Sequence, residues 1–139
     1  MDKMANEMKV QLRQISPSTS EAAMGPHRLL VDRPLDKNGT DQGPMGGQLF
    51  LASVGGCFMS NLLAAIRARE SQVSNVQTEV TGVVAADVPA RFTSLELLVT
   101  ADGERKELEK LTDIAARGCI MINTLRPVFD VRVRIGALA

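Results

Sequence analysis

The chain holds two cysteines, Cys57 and Cys119, and one histidine, His27. Their number and spacing exclude several chemistries. No Cys-x-x-Cys is present, so the thioredoxin redox motif is absent. Two Cys and one His do not fill a four-ligand zinc site within one chain, and no metal or cofactor is expected. A cysteine protease pairs its thiol with a histidine base. His27 could serve, but neither cysteine stands in a papain-like or caspase-like context. Free cysteine also behaves as a small buried hydrophobe, so inert core thiols are the plain alternative to any chemistry.

What two helical thiols can do is reduce a peroxide. One thiolate attacks the O–O bond and becomes a sulfenic acid. The second thiol condenses with it to a disulfide, which an external thiol reductant reopens. The attacking sulfur must be a thiolate, and free cysteine titrates near ~8.5, so a neighbouring cation is required. Cys57 lies about three turns into its helix, too deep for that helix's own dipole to help. An arginine from another element must then supply the charge. Arg28 and Arg33, flanking the Leu29–Asp32 segment, are the candidates, with ordinary surface charge as the alternative for both.

The elements that must position these groups follow from periodicity. Met8–Ile15 alternates and reads as a half-buried strand with Met8, Val10 and Leu12 inward. Ser16–Gly25 reads as a turn or loop, and His27–Asp32 as a second strand. Pro34–Gly47 is a long loop rich in glycine and proline. An apolar helix runs from about Met45 to Glu70. Val76–Val84 and Thr93–Val99 alternate and form an antiparallel hairpin. Glu104–Leu125 is a second helix, with acidic Glu104 and Glu107 at its start and Arg126 near its end. Gly118 is a candidate break within it, and Pro127 ends it. Val128–Ile135 is the last strand. The order is β-β-α-β-β-α-β. Because every strand alternates, the sheets are expected to be antiparallel with one wet face.

Gly55-Gly56, directly before Cys57, costs roughly 1–2 kcal/mol of helix propensity relative to alanines. We expect the helix to be thinned there so that the second helix and its cysteine can approach. Gly118-Cys119 repeats the Gly-Cys pair. The helix around Cys57 has no wet face over most of its length, which points to a second copy of the chain covering it, in an intertwined homodimer.

Length and composition bound the rest. The chain has 139 residues with 45% hydrophobic content, which fits one domain over residues 1–139. Residues 1–7 are expected to be a poorly ordered tail. Sixteen basic residues balance 16 acidic ones, with four Phe and no Trp or Tyr, so nucleic-acid binding by charge or base stacking is not expected. Met1–Glu7 is polar and mixed in charge, unlike a signal peptide. The apolar run Leu49–Ile66 is broken by Ser53, Gly55, Gly56, Ser60 and Asn61 and is read as a core helix, not a membrane span. A cytoplasmic location is expected, where paired cysteines are more often catalytic or free than structural.

VDRPLDKNGTDQGPMGGQLFLASVGGCFMSNLLAAIRARE, followed downstream by ARGCIMINTLRPVFDVRVRI, resembles the OsmC/Ohr family of osmotically inducible and organic hydroperoxide resistance proteins. The matching features are Gly43-Pro44, Leu49–Leu51, Cys57-Phe58, and Gly118-Cys119 through Leu125. The resemblance implies an α+β homodimer, with antiparallel sheets around two long central helices and the site at the dimer interface. It also implies that Cys57 is the nucleophile and Cys119 the resolving thiol. Two departures stand out. The peroxidase members carry a glutamate ten residues before the first cysteine, paired with the catalytic arginine; here that position is Gly47, followed by Gln48. The family often has proline after the second cysteine; here Ile120 follows, which would let the two helical pieces run on as one.

Three readings result. The first is a thiol-dependent peroxidase for organic hydroperoxides, with an apolar pocket built from Leu49, Phe50, Phe58 and Met59. The second is an OsmC-like small-ligand-binding or non-catalytic redox protein, favoured by the missing glutamate. The third is a dimeric structural protein with inert thiols.

Overall fold

A computed structural model describes residues 5–137. Of the tail expected over residues 1–7, residues 1–4 lie outside the described residues, and 5–7 carry no regular structure. The elements run β1 (Gln11–Gln14), β2 (Ser20–Met24), β3 (His27–Val31), a 3-10 turn at Leu35–Lys37, α1 (Gly46–Ala68), β4 (Ser74–Val84), β5 (Phe92–Asp102), α2 (Arg105–Arg117), α3 (Ile120–Leu125) and β6 (Asp130–Ile135). The class is α+β. The chain divides into two compact units, Met1–Leu49 and Phe50–Ala139.

The first unit is a three-stranded antiparallel sheet in the order β1-β2-β3. Strand β2 falls where a loop is expected from the sequence. Its residues, SEAAM, are poor strand formers, and only Ala22 is buried. The turn explains it. Met24 pairs with His27 across Gly25-Pro26, and Gly25 sits at φ 58. Glycine at the first central position of a two-residue hairpin loop is the signature of a type II′ turn, whose twist suits flanking strands. Strand β1 is shorter than expected and is not half-buried. Met8 is 90% exposed and Leu12 58%. Alternation marks a face that can be covered; it does not say what covers it.

Behind β3 a buried carboxylate ties down the long loop. Asp32 accepts hydrogen bonds from the Thr19 hydroxyl at 2.9 Å, from the Thr40 hydroxyl, and from the backbone N–H groups of Arg33, Thr40 and Gln42. The Thr40 hydroxyl leads the effects that hold its carboxyl far below the usual range, and burial, which pushes the other way, is outweighed. The loop holds a charge without a cation because backbone and hydroxyl donors satisfy its lone pairs.

The second unit carries the core. Strand β5 is central in the order β4-β5-β6, and its alternate residues Leu95, Leu97, Val99 and Ala101 are all buried. They pack in one cluster with Leu108, Leu111 and Ala115 of α2, Ile122 of α3, and Val54, Phe58 and Leu62 of α1. The pair β4–β5 is antiparallel, as expected, with Val80 opposite Leu97. Strand β6 instead joins β5 in parallel, with Val131 opposite Leu95. Its alternation reports one buried face and carries no information on direction. The direction comes from the connection. Helices α2 and α3 lie between β5 and β6, and a parallel pair needs a crossover of at least about a dozen residues.

Helix α1 is, among the described residues, the one helix long and apolar enough to cross a membrane, with a mean hydropathy of 1.9. The expectation that it is buried on all sides does not hold within one chain. Val54, Gly55, Phe58 and Leu62 form a single buried edge. Ala52, Gly56, Ser60 and Leu63 are exposed.

The reason for Gly55 also differs from expectation. A Cβ built there would meet Val80 Cγ2 of β4 at 2.8 Å, so the helix is thinned for the sheet and not for the second helix. Gly56 has nothing within 4 Å. Gly55→Ala sets a helix gain of about 1 kcal/mol against overpacking of typically 1–3 kcal/mol. The contact is close and Val80 is a short branched side chain in a strand, so the packing loss prevails. A urea titration of Gly55→Ala should show a lower unfolding midpoint than wild type.

Candidate functional site

Cys57 and Cys119 come from different helices and meet in the second unit. Cys57 projects from α1 one residue before the fully buried Phe58. Its own sulfur is half-buried, whereas Cys119 is completely buried. Both are free thiols, and each lies near enough to the other to shift its titration.

Cys119 owes its place to a break in the helical segment. Helix α2 ends at Gly118, whose N–H turns back to the carbonyls of Ala116 and Ile114. Cys119 then takes an extended conformation, φ −83 and ψ 116, and is the N-cap of α3. The two pieces therefore do not run on as one helix, despite Ile120. Asn61 Nδ2 of α1 donates to the Ala115 carbonyl at 3.3 Å, close beside the break. The Cβ position of Gly118 faces that same Asn61 amide at 3.5 Å.

The break has an electrostatic consequence. The first N–H groups of a helix have no partner within it. In α3 the first backbone bond of that kind is Asn123 N–H to the Cys119 carbonyl, at 2.9 Å. Burial pushes the Cys57 thiol up, but hydrogen bonding from the Met121 N–H, the Cys119 thiol and the Ile120 N–H together brings it below the ordinary cysteine value. Cys119 moves the opposite way. Burial and the neighbouring Cys57 sulfur push it up, and the N–H groups of Ile122 and Met121 offset this only in part. The arrangement thus separates the pair into a more acidic, accessible sulfur and a less acidic, buried one.

Sequence reasoning assigned the charge that lowers Cys57 to an arginine. The groups that lower the Cys57 thiol here are backbone N–H groups and the Cys119 thiol, which the cysteine periodicity does not reveal. Gly118 was the available signal: a glycine breaking the helix immediately before Cys119 frees the next N–H groups. Arg28 and Arg33 lie in the first unit, both exposed. Arg28 is in β3, and its guanidinium donates to the carbonyls of Gly25 and His27, each at 3.0 Å. Arg33 follows β3, and its backbone N–H donates to Asp32 at 2.7 Å. Gln48, beside Gly47, accepts from the Met45 N–H at 2.9 Å, which closes the first turn of α1.

Of the residues expected to form an apolar pocket, Phe58 is in the core with no exposure. Phe50 stacks on Phe92 with ring centroids 5.3 Å apart. Met59 lines an open groove of about 350 Å³ with Leu51, Gly55, Gly56, Thr78 and Val80. Thr78 Oγ1 donates to the Met59 sulfur at 3.1 Å. Leu49 is half-buried in the first turn of α1. Among the described residues no cluster of His, Cys, Asp and Glu is suited to a metal ion.

Comparison with known proteins places this fold in a wider group. Several solved structures share the fold. A hypothetical protein from Aquifex aeolicus superimposes with a TM-score of 0.82 at 15% identity, covering 97% of this chain and 99% of that one. An organic hydroperoxide resistance protein OsmC from Legionella pneumophila gives 0.74 at 20% identity, covering 97% and 100%. The organic hydroperoxide resistance protein OhrB of Bacillus subtilis gives 0.70 at 19% identity, covering 94% and 98%. No curated protein matches the sequence. The family model for OsmC-like proteins matches residues 39–134, from the loop after β3 into β6. It spans both cysteines and the helix break between them, and the chain belongs to the OsmC-like protein family.

Proposed function

We propose that the protein is a thiol-dependent peroxidase that reduces organic hydroperoxides. The observation that carries this reading is the neighbouring pair of free thiols, one accessible and made more acidic, the other buried and made less so. The Cys57 thiolate attacks the distal peroxide oxygen. The O–O bond breaks, an alcohol leaves with a proton, and Cys57 becomes a sulfenic acid. The Cys119 thiol then attacks that sulfur. A disulfide forms and the hydroxyl departs as water. An external dithiol restores both thiols and is itself oxidised to a disulfide. The similarity to proteins named for organic hydroperoxide resistance supports the substrate class. We read residues 1–139 as one OsmC-like domain.

A homodimer in the cytoplasm is part of this reading. The exposed face of α1 leaves apolar surface that a second copy would cover. Its buried edge and the Asn61 bond to α2 suit a core helix better than a membrane span.

A second reading has one feature in its favour. Gly47 stands where the peroxidase relatives carry the glutamate that orients a catalytic arginine, and the Arg28 guanidinium is occupied by backbone carbonyls. Misplacing such a clamp by about 1 Å costs on the order of a hundredfold in rate. An OsmC-like ligand-binding or non-catalytic redox protein would then result.

The two readings separate on one measurement. Reduced protein is mixed with one equivalent of cumene hydroperoxide and its free thiols are counted against time. The peroxidase loses both thiols quickly. Loss no faster than that of free cysteine at the same pH would instead make the binding protein the leading reading.

A further inference from the structure

We propose that Asn61 is a positioning residue for the thiol pair: its side-chain amide ties α1 to the helix break in front of Cys119 and so keeps the two sulfurs within bonding reach. The inference rests on the reading of Cys57 and Cys119 as a redox pair, but its test needs no hydroperoxide.

The break between α2 and α3 costs α2 a hydrogen bond. In an unbroken helix the Ala115 carbonyl would accept from the N–H four residues on, that of Cys119. Cys119 is extended, and its N–H goes instead to the Ala116 carbonyl at 3.2 Å. The Gly118 N–H goes to the Ile114 carbonyl at 3.3 Å. The Ala115 carbonyl, on a residue only 1% exposed, is thus left for a donor from outside its helix. Asn61 of α1 supplies that donor through Nδ2, at 3.3 Å. Of the two ends of the Asn61 amide only the nitrogen can do this, because a carbonyl accepts and does not donate. The same nitrogen lies 3.5 Å from where a Cβ of Gly118 would stand, so it sits against the break itself.

Asn61 also stands one helical turn beyond Cys57 on α1. Residues four apart on a helix share a face, with Cβ atoms about 5–6 Å apart. One face of α1 therefore carries both the accessible thiol and the amide that contacts the residue before Cys119. Cys57 packs against the buried cluster to which Cys119 belongs. Loss of the donor has two effects. A buried carbonyl is left without a partner, and the end of α2 is no longer tied to α1 at that turn. Cys119 then wanders relative to Cys57, whereas a disulfide requires Cα atoms within about 7 Å of each other.

The experiment equilibrates the chain with mixtures of reduced and oxidised glutathione and measures the Cys57–Cys119 disulfide by mass spectrometry. Oxidised glutathione takes the two electrons of the thiol pair and leaves as two reduced molecules. The midpoint therefore gives the effective concentration of one thiol toward the other. Asn61→Leu keeps the volume and removes the donor. Its effective concentration should fall roughly fivefold or more below wild type. The urea midpoint is measured alongside. A lower urea midpoint with an unchanged glutathione midpoint makes Asn61 merely structural and overturns the proposal. A second measurement uses the unaltered chain, in case Asn61→Leu fails to fold. One side-chain amide proton of Asn61 should exchange with solvent far more slowly than those of the exposed Asn38. Exchange as fast as at Asn38 also overturns the proposal, and so does a wild-type chain that forms no disulfide in glutathione. A chain that ignores hydroperoxide but shows the fall in Asn61→Leu refutes the peroxidase reading and leaves this one standing.

Discussion

Cys57→Ser is expected to lose hydroperoxide-driven chemistry entirely, whereas Cys119→Ser is expected to react once and stop. A serine hydroxyl does not ionise near neutral pH, so no thiolate is left to attack, and the buried Cys119 cannot substitute. In Cys119→Ser the nucleophile survives but the partner that closes the disulfide is missing. Cys57 should accumulate as sulfenic acid, detected by a dimedone adduct on its peptide, with one alcohol released per chain. The pH dependence has a definite sign. The rate follows the thiolate fraction of Cys57, which is held below the ordinary cysteine value. It should therefore reach its plateau at a lower pH than free cysteine does. Rapid loss of the remaining thiol in Cys57→Ser on treatment with hydroperoxide would contradict the assignment of roles.

Phe58→Ala should have the largest effect on stability. Phe58 has no exposed surface and joins α1 to the cluster built on β5. Phe→Ala in such a site costs roughly 3–5 kcal/mol, a large part of the about 5–15 kcal/mol that holds a domain folded. The expected result is a large drop in the urea midpoint. Phe58→Leu, which keeps much of the volume, should lose markedly less. The residue also matters to the chemistry because it adjoins Cys57. Once that edge of α1 is loosened, the surroundings that lower the Cys57 thiol are disturbed. Its alkylation profile should then drift toward that of ordinary cysteine.

Much of this fold could be read before any coordinates. Strands β4, β5 and β6 followed from periodicity because each alternates between a covered and a more exposed face, and helix α1 followed from its long apolar run. Strand β2 escaped because a short strand of Ser, Glu and Ala is defined by its turn, Gly25-Pro26, more than by its own residues. The parallel pairing of β6 escaped because alternation is blind to direction. At the site, the cysteines were visible as residue types, and their meeting followed from the resemblance. The N–H groups of Ile120 and Met121 were not visible, since a backbone donor has no letter in the sequence. Only the break at Gly118 points to it.

The long separation of the two thiols along the chain has a consequence of its own. Between Cys57 and Cys119 lie β4, β5 and the whole of α2. A bond between them would close a loop of about 60 residues and remove chain entropy from the unfolded state, in the entropic account by about 4 kcal/mol. The β4–β5 hairpin and α2 would then be enclosed in a covalent ring, while β6 and the first unit stayed outside it. On that reading, each turnover passes through a form that is harder to unfold than the resting one. The reductant that reopens the bond also returns the chain to its more fragile state.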